Sequence, residues 1–320
     1  MFYNVEDRPL VVLTGPTAVG KTALSIKLAK TLNGEIISAD SMQVYRGMDI
    51  GSAKVTREEM DGVPHHLIDV LDPEDAFNVV TFQAMAKDAI EEIYSRGRIP
   101  ILAGGTGFYI QAVLNDIDFT QDAGPDDLRA KLEDEAKRLG SHVLYKRLQQ
   151  VDPEGARAIH PNNVKRVIRA LEYYAETGQK ISDHNEAQRK KESPYRFAYF
   201  VLTMDRAALY QRIEKRIDIM LDQGLVDEVK RLRAAGCHRG MVSMQGLGYK
   251  EILDYLEGSC TLEEAVYTLK RDTRHFAKRQ LTWFRREKEV CMINKDDFAG
   301  DDDRILAYML EVLRDKGILL

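Results

Sequence analysis

A phosphate-binding loop near the start of the chain restricts the possible folds more than any other stretch. An apolar run at residues 10–13 is followed by "TGPTAVGKTAL", in which Gly15, Gly20, Lys21 and Thr22 match the pattern G-x-x-x-x-G-K-[ST]. In such a loop, backbone N–H groups and the lysine surround a polyphosphate. The match therefore predicts a buried strand that ends at a phosphate site.

The residues after the loop continue as a helix. Leu24, Leu28 and Leu32 recur at the spacing of one helix face. Strand, loop and helix thus follow in the required order, and the unpaired N–H groups of a helix N-terminus favour an anion there. We expect residues 15–22 to bind phosphate groups. The alternative is an ordinary glycine turn with a solvated lysine.

Further apolar runs predict the rest of the sheet: "EIISA", "HLIDVL", "RIPILAGG", "RFAYFVL" and "VCMIN". Helical patterns separate most of these runs, and this alternation is typical of a mostly parallel sheet flanked by helices. Asp205 is the expected N-cap of the helix after "RFAYFVL", and a helix is expected to close the chain. The fold class is therefore α/β, of the P-loop type.

One long segment interrupts the alternation. From Gln121 to Pro194 the sequence has only helical stretches, separated by Pro153, Pro161 and Gly178. A segment of this length between two strands of one sheet predicts an inserted all-helical subdomain. We expect a catalytic core at residues 1–120 and 195–320 and a helical insert at residues 121–194.

Composition limits the cellular setting. No apolar run approaches the ~20 residues that span a bilayer, and no basic-then-apolar leader is present. We expect a cytoplasmic protein without membrane contact, and a monomer. The three cysteines, Cys237, Cys260 and Cys291, are widely spaced and form no zinc-binding pattern.

Positive charge is concentrated in one segment. Residues 270–288 hold eight Lys or Arg against Asp272 and Glu287, a local charge of +6 in a chain of net charge −5. The rest of the chain then carries −11. A basic segment in an acidic protein indicates a surface for a polyanion. A solvated amphipathic helix remains the alternative.

The chemistry of the phosphate site depends on Asp40. An ATPase or GTPase normally has a second strand that ends in an acid, but "PILAGG" ends in Gly104, Gly105 and Thr106. Asp40, which follows "EIISA", is the nearest strand-end acid. It could hold magnesium, act as a general base, or cap the following turn. The pattern alone leaves all three roles open.

Four stretches of the sequence form a recognisable set: "GPTAVGKTAL", "IISADSMQVYRGMDIGSAK", "AGGTGFY", and "QGLGYKE" with "AKRQLTWFR". Together they resemble the tRNA dimethylallyltransferases, also called tRNA isopentenyltransferases. The resemblance extends over nearly the whole chain, and without the zinc finger of many eukaryotic members it implies the bacterial type. It implies that dimethylallyl diphosphate, with Mg²⁺, donates a five-carbon allylic group to tRNA. The acceptor is the exocyclic amino group of the adenosine on the 3′ side of the anticodon.

The resemblance also assigns the residues that act on the donor. Asp40 matches the general base, Thr106 a residue that contacts the target nucleotide, and Arg216 an arginine that reaches the diphosphate. Thr22 would ligate the metal. The diphosphate would be held by the whole loop: Gly15, Pro16, Thr17, Ala18, Val19, Gly20, Lys21 and Thr22.

A further set of residues matches the parts of the family that contact the tRNA anticodon stem-loop. An enzyme that modifies an adenine amino group has to extrude that base, so the neighbouring nucleotides must be held. Trp283 and Phe284 could stack on bases or fill the core. The matching residues are Asp40, Ser41, Met42, Gln43, Thr106, Arg129, Lys165, Arg166, Val167, Ile168, Arg169, Gln245, Gly246, Leu247, Gly248, Tyr249, Lys250, Lys278, Arg279 and Arg285.

Two other functions are compatible with a phosphate-binding loop. A small-molecule or nucleotide kinase would use ATP, with Asp40 as the base for an acceptor hydroxyl. A non-catalytic RNA-binding protein would use the loop as a nucleotide switch. The missing acid after "PILA" and the basic segment both argue against a small-molecule kinase.

Overall fold

The computed structural model describes residues 8–119 and 126–319. These residues form two compact units: the larger comprises the residues up to Leu114 and from Pro194 onward, and the smaller is Asn115–Ser193. The domain boundary expected between residues 120 and 121 lies outside the described residues. Within the described ranges, no helix is long and apolar enough to cross a membrane.

A six-stranded sheet forms the centre of the larger unit. Its order is β3-β2-β4-β1-β5-β6, and all of its strand pairs are parallel, as the sequence predicted. All residues of β1 and β2 are buried, which fits strands covered on both faces. The strands are β1 (Pro9–Thr14), β2 (Gly34–Ala39), β3 (His65–His66), β4 (Ile99–Gly104), β5 (Arg196–Thr203) and β6 (Val290–Asn294).

The prediction of a strand over "HLIDVL" is largely wrong. Only His65 and His66 pair with β2, because Leu67 and Asp69 adopt positive φ angles of 63° and 54°. A left-handed residue turns the chain out of the extended conformation, so the strand stops after His66. Leu71 makes a single bridge to Tyr45.

Helices flank the sheet. Leu24, Leu28 and Leu32 are buried on α1, which packs against β2 and β4, and Asp205 caps α10 through its side chain as expected. Two 3₁₀ turns lie at Ser243–Gln245 and Lys295–Phe298. The helices of this unit are α1 (Lys21–Leu32), α2 (Arg57–Met60), α3 (Val79–Ser95), α4 (Gly107–Leu114), α10 (Arg206–Asp222), α11 (Leu225–Ala234), α12 (Tyr249–Leu256), α13 (Leu262–Phe284) and α14 (Asp302–Asp315).

The described part of the smaller unit has a helical core of its own. Leu132, Leu144, Leu148, Val167 and Ile168 belong to its buried apolar cluster. The side chains of α8 divide into a mostly apolar buried face and an exposed face that includes Lys165 and Arg166, so this helix is strongly amphipathic. Its helices are α5 (Asp126–Leu139), α6 (Ser141–Val151), α7 (Pro153–Ala158), α8 (Val164–Thr177) and α9 (Ile181–Lys190).

Candidate functional site

A cavity of about 490 Å³ opens at the carboxyl ends of three neighbouring strands. The loop after β1, Asp40 after β2 and Thr106 after β4 all line it, and β1 and β2 both pair with β4. Parallel sheets bind ligands at this edge, where the loops between strands and helices converge. Residues far apart in the sequence thus meet in one site.

The backbone conformation of the loop after β1 leaves an anion site at α1. Gly15 and Gly20 have φ angles of 148° and 100°, and a Cβ on Gly15 would lie 2.5 Å from the Leu202 carbonyl oxygen. Gly20 is the N-cap of α1, and no side chain caps the helix. The first N–H groups of α1 therefore face the loop with the positive end of the helix dipole behind them.

Lys21 lies folded over the loop. Its Nζ donates to the carbonyl oxygens of Gly15 and Pro16, both at 2.9 Å. Burial and the positive charge of Arg216 lower the pKa of Lys21 to about 7, and the negative charge of Asp40 acts in the opposite direction. Lys21, Arg216 and Asp40 all line the same cavity, so each charge affects the ionisation of the others.

Arg216 brings a second cation to the same cavity from α10. Burial lowers the pKa of its guanidinium, the carboxylates of Asp40 and Glu59 favour its charged form, and Arg212 disfavours it. Its Nη2 lies 3.5 Å from the Ala53 carbonyl oxygen. Two cations in one partly enclosed cavity create a field that favours a ligand with several negative charges.

Asp40 caps the turn that follows it. Its Oδ1 accepts from the backbone N–H of Met42 at 2.8 Å and of Gln43 at 3.4 Å. In the part of the chain that the structure describes, Oδ2 has no hydrogen-bond partner, and Asp40 lines the cavity. The capping role is therefore real, and it leaves one carboxylate oxygen available to a ligand.

The glycines after β4 allow that strand end to approach β2 closely. A Cβ on Gly104 would lie 2.2 Å from the Ala39 carbonyl oxygen. The same oxygen accepts from the N–H of Thr106 at 3.1 Å. Thr106 is thereby held beside the residue that precedes Asp40, so both side chains face the cavity.

Gln280 on α13 joins this site, and sequence reasoning missed it. Its Nε2 donates to the Gly105 carbonyl oxygen at 2.9 Å, and a Cβ on Gly105 would lie 2.3 Å from that nitrogen. The residue is part of the quoted stretch "AKRQLTWFR", but a neutral glutamine in a basic helix gave no signal for burial. The amide packs against the glycine turn and helps to close the cavity.

Trp283 and Phe284 on α13 both pack against other parts of the protein, and stacking on bases stays a prediction. Phe284 is fully buried in the core. Trp283 packs on Gly107, where a Cβ would lie 2.3 Å from its ring, and meets the exposed Phe108 edge-to-face at 6.2 Å. Phe284 therefore anchors the helix, and Trp283 fits it against the start of α4.

Part of the basic segment is neutralised within the protein. Lys270 pairs with Asp218 at 2.5 Å, and Arg274 pairs with Glu214. Toward the end of the segment, Lys278, Arg279 and Arg285 are exposed, and Arg279 also lines the cavity. The basic surface is thus smaller than the local charge of +6 indicates.

Burial argues against direct RNA contacts at three of the expected positions. The side chains of Tyr249, Val167 and Ile168 are 0%, 1% and 3% exposed, so each fills a core. Apolar and aromatic residues within helical motifs match a family pattern for packing as readily as for binding. These side chains are therefore reassigned to packing.

The remaining expected RNA-contact residues lie at the cavity or on the surface. Arg129 is exposed but pairs through two nitrogens with Glu172, at 2.8 and 2.9 Å. Lys165 and Arg166 are exposed, and Arg169 is half-buried. The cavity is lined by Ser41, Met42, Gln43, Gln245, Gly246, Leu247, Gly248 and Lys250.

Comparison with known proteins identifies close relatives. The sequence model described as IPP transferase matches residues 43–287. The tRNA dimethylallyltransferase of Lachnoclostridium phytofermentans is 61% identical over 312 residues, which cover 98% of this chain and 99% of the relative. That of Bacillus cereus is 54% identical over 314 residues, which cover 98% of each.

Solved structures give the same relationship. The tRNA isopentenylpyrophosphate transferase of Bacillus halodurans has a TM-score of 0.73 at 49% identity, covering 97% of this chain and 98% of that one. A eukaryotic dimethylallyltransferase described as acting on tRNA has a TM-score of 0.83 at 31% identity, covering 96% of this chain and 80% of that one.

Proposed function

The chain belongs to the IPP transferase family, and from this premise we propose that it transfers a dimethylallyl group from dimethylallyl diphosphate to tRNA. The acceptor is the exocyclic amino group of the adenosine on the 3′ side of the anticodon, and diphosphate is released. The observation that carries this proposal is the convergence of Lys21, Arg216 and Asp40 on one cavity. The two cations can bind the negatively charged diphosphate, and the carboxylate can accept the proton of the amino group.

The cations act on the leaving group. During transfer the adenine nitrogen bonds to the first carbon of the allyl group, and the electrons of the carbon–oxygen bond pass to the diphosphate. Stabilisation of the departing charge is then the main catalytic task. In this proposal the diphosphate oxygens are bound by Lys21, by Arg216 and by the N–H groups at the start of α1.

Asp40 receives the proton of the amino group in this proposal. Its Oδ1 is used by the turn, and Oδ2 is the oxygen available to act as a general base. The turn bonds also fix the carboxylate, so little reorientation is needed during the reaction. Thr106, held beside Ala39, would contact the target nucleotide.

The donor set of the loop fits a magnesium ion that arrives with the diphosphate. Within residues 8–119 and 126–319, no group of three or more His, Cys, Asp or Glu could hold a metal. Mg²⁺ keeps most of its waters and commonly binds through substrate phosphates with few protein ligands. The Thr22 hydroxyl at the start of α1 is the protein ligand we assign. When bound, the ion would neutralise part of the charge on the leaving group.

The tRNA anticodon stem-loop is the partner in this proposal. Exposed cations at the C-terminal end of α13 are suited to its phosphates: Lys278, Arg279 and Arg285, which directly follows the helix. Arg279 also lines the cavity that would take the extruded adenine. The cavity-lining stretches 41–43 and 245–250 would hold the neighbouring nucleotides, except for the buried Tyr249 side chain. In the smaller unit, Lys165, Arg166, Arg169 and Arg129 are the candidate contacts.

We also infer that the protein acts in the cytoplasm as a monomer. The cytoplasmic setting follows from the proposed acceptor, a tRNA. A kinase is not favoured, because the relatives are named tRNA dimethylallyltransferases and β4 ends in glycines rather than an acid.

The test compares two labelled donors. The protein is incubated with unmodified tRNA, magnesium and radiolabelled dimethylallyl diphosphate, and in parallel with γ-labelled ATP. The expected result is label in the RNA from the first donor only. Phosphate transfer from ATP without prenyl transfer would support a kinase, and no transfer from either donor would contradict both enzymatic functions.

A further inference from the structure

A buried carboxylate on α11 holds the backbone of a cavity wall. Glu228 is 1% exposed and accepts from three consecutive backbone N–H groups. Its Oε2 accepts from Asp49 at 3.0 Å and Ile50 at 2.8 Å, and its Oε1 accepts from Gly51 at 3.0 Å. Consecutive N–H groups that point to one side form a concave anion site, and here a side chain of the protein fills it.

Tyr249 completes this arrangement. Its hydroxyl donates to Glu228 Oε1 at 2.8 Å and accepts from the N–H of Ser52 at 3.1 Å. Its ring covers Gly51, where a Cβ would lie 2.6 Å from the ring. Burial and the charge of Glu228 raise the pKa of Tyr249, so its hydroxyl keeps its proton and remains a donor at neutral pH.

The segment that Glu228 and Tyr249 hold, residues 49–53, connects the turn after Asp40 with Arg216. Gly51, Ser52 and Ala53 line the cavity. The Ala53 carbonyl oxygen accepts from Gln43 Nε2 at 3.3 Å and lies 3.5 Å from Arg216 Nη2. One carbonyl group therefore contacts both the turn that Asp40 caps and the arginine assigned to the diphosphate.

We propose that Glu228 and Tyr249 are positioning residues that fix the 49–53 segment and thereby the placement of Arg216 for the donor diphosphate. This inference rests on the proposed function, since it assigns Arg216 to the diphosphate. Neither side chain is among those that line the cavity, so both act through the backbone they hold. Displacements of about 1 Å in a catalytic site lower rates by up to ~10²-fold, so a loosened segment has a measurable effect.

The main variant is Glu228→Gln, which keeps the size of the side chain but turns an N–H group toward the backbone N–H groups. Inorganic diphosphate with magnesium chloride is the probe, and its Kd is measured by calorimetry beside the melting temperature. We expect the Kd for diphosphate and the KM for the donor to rise about tenfold, with tRNA affinity within about twofold of wild type. A milder effect in the same direction is expected for Tyr249→Phe.

Glu35→Gln is the matched control. Glu35 is also 1% exposed and accepts from Arg96 and Arg98, but it does not line the cavity and, among the described residues, contacts no backbone segment of the donor site. This variant should lower the melting temperature without changing the Kd for diphosphate. If Glu228→Gln behaves like Glu35→Gln, its role is only structural and the inference is overturned.

Two further readouts keep the test decisive. If Glu228→Gln does not fold, Tyr249→Phe replaces it, and an unchanged Kd for diphosphate in that variant overturns the inference. Diphosphate binding requires neither tRNA nor prenyl transfer. Wild-type protein that binds diphosphate but transfers no prenyl group would therefore contradict the proposed function while the positioning role is still judged by the Kd.

Discussion

The Oε1 of Gln280 accepts a hydrogen bond of 2.9 Å from the backbone N–H of Thr17, a residue 263 positions earlier in the sequence. The other end of the same amide donates to the Gly105 carbonyl oxygen. One side chain of the basic helix α13 thus holds the phosphate loop and the glycine turn after β4 together. The surface assigned to RNA and the loop assigned to the donor are parts of one hydrogen-bonded structure.

Replacing Gln280 with methionine should destabilise the protein and weaken the donor site. The change keeps the volume of the side chain but leaves the Thr17 N–H and the Gly105 carbonyl oxygen without this partner. Each buried donor or acceptor that is left without a hydrogen-bond partner lowers the free energy of unfolding by about 1–3 kcal/mol. We expect the free energy of unfolding, measured by urea titration, to fall by that order and the donor KM to rise. The exposed Gln223→Met should change the free energy of unfolding by under ~0.5 kcal/mol.

Asp40→Asn should separate the capping role of Asp40 from its proposed catalytic role. The asparagine Oδ1 can still accept from Met42 and Gln43, so the turn is kept. Loss of a general base costs about 10²–10⁴ in turnover, and we expect this in single-turnover kinetics with tRNA affinity within a few-fold of wild type. Asp40→Ala also removes the turn bonds and should lower stability. An equal loss of tRNA binding in Asp40→Asn would contradict the catalytic assignment.

Binding of diphosphate should be coupled to protonation of Lys21. The pKa of Lys21 is lowered from its ordinary 10.5 to about 7, so the amine is largely neutral above pH 7 in the free protein. The unfolded chain holds that proton up to its ordinary pKa, so this group makes stability rise with pH between the two values. Diphosphate favours the charged amine, and its binding above pH 7 should therefore take up a proton.

Calorimetry of diphosphate binding in two buffers of different ionisation enthalpy measures this proton uptake. Lys21→Arg is the control, because a guanidinium stays charged and the titration of diphosphate itself is common to both proteins. Relative to that variant, wild-type affinity should fall by up to about tenfold per pH unit above 7. Equal pH dependence in the two proteins would show that Lys21 is already charged in the free site.

Local sequence patterns predicted the parts of the site whose conformation depends on residues adjacent in the sequence. The spacing of Gly15, Gly20, Lys21 and Thr22 specifies a loop whose conformation depends on neighbouring residues, and the structure has that loop. The end of β2 likewise placed Asp40 at the ligand edge of the sheet. Both inferences need only the position of a strand end, which apolar runs indicate well.

Contacts between distant segments could not be predicted in this way. Gln280 and Glu228 carry no local signature, because the backbone groups to which they hydrogen-bond lie at least 175 positions away in the sequence. Tyr249 matched a family motif, and only its burial distinguishes packing from RNA contact. The length of strand β3 was overestimated because a run of apolar residues does not indicate the positive φ angle of Leu67.

Binding of tRNA at the C-terminal end of α13 should weaken as the salt concentration rises. If Lys278, Arg279 and Arg285 contact phosphates, log affinity should fall linearly with log salt concentration. Each charge removed should then reduce the slope by about 0.7–0.9. The measurement is tRNA affinity at several salt concentrations for the three single Lys→Gln and Arg→Gln variants, with diphosphate binding expected to stay unchanged for Lys278→Gln and Arg285→Gln.

The structure supplies controls on the same helix for this prediction. Lys270 and Arg274 already pair with Asp218 and Glu214, so Lys270→Gln and Arg274→Gln should leave the slope unchanged. Partly exposed ion pairs contribute about 0–1 kcal/mol, so these two variants should also remain folded. If all five variants keep the wild-type slope, α13 is not the RNA surface, and the exposed cations of α8 in the smaller unit become the leading candidates.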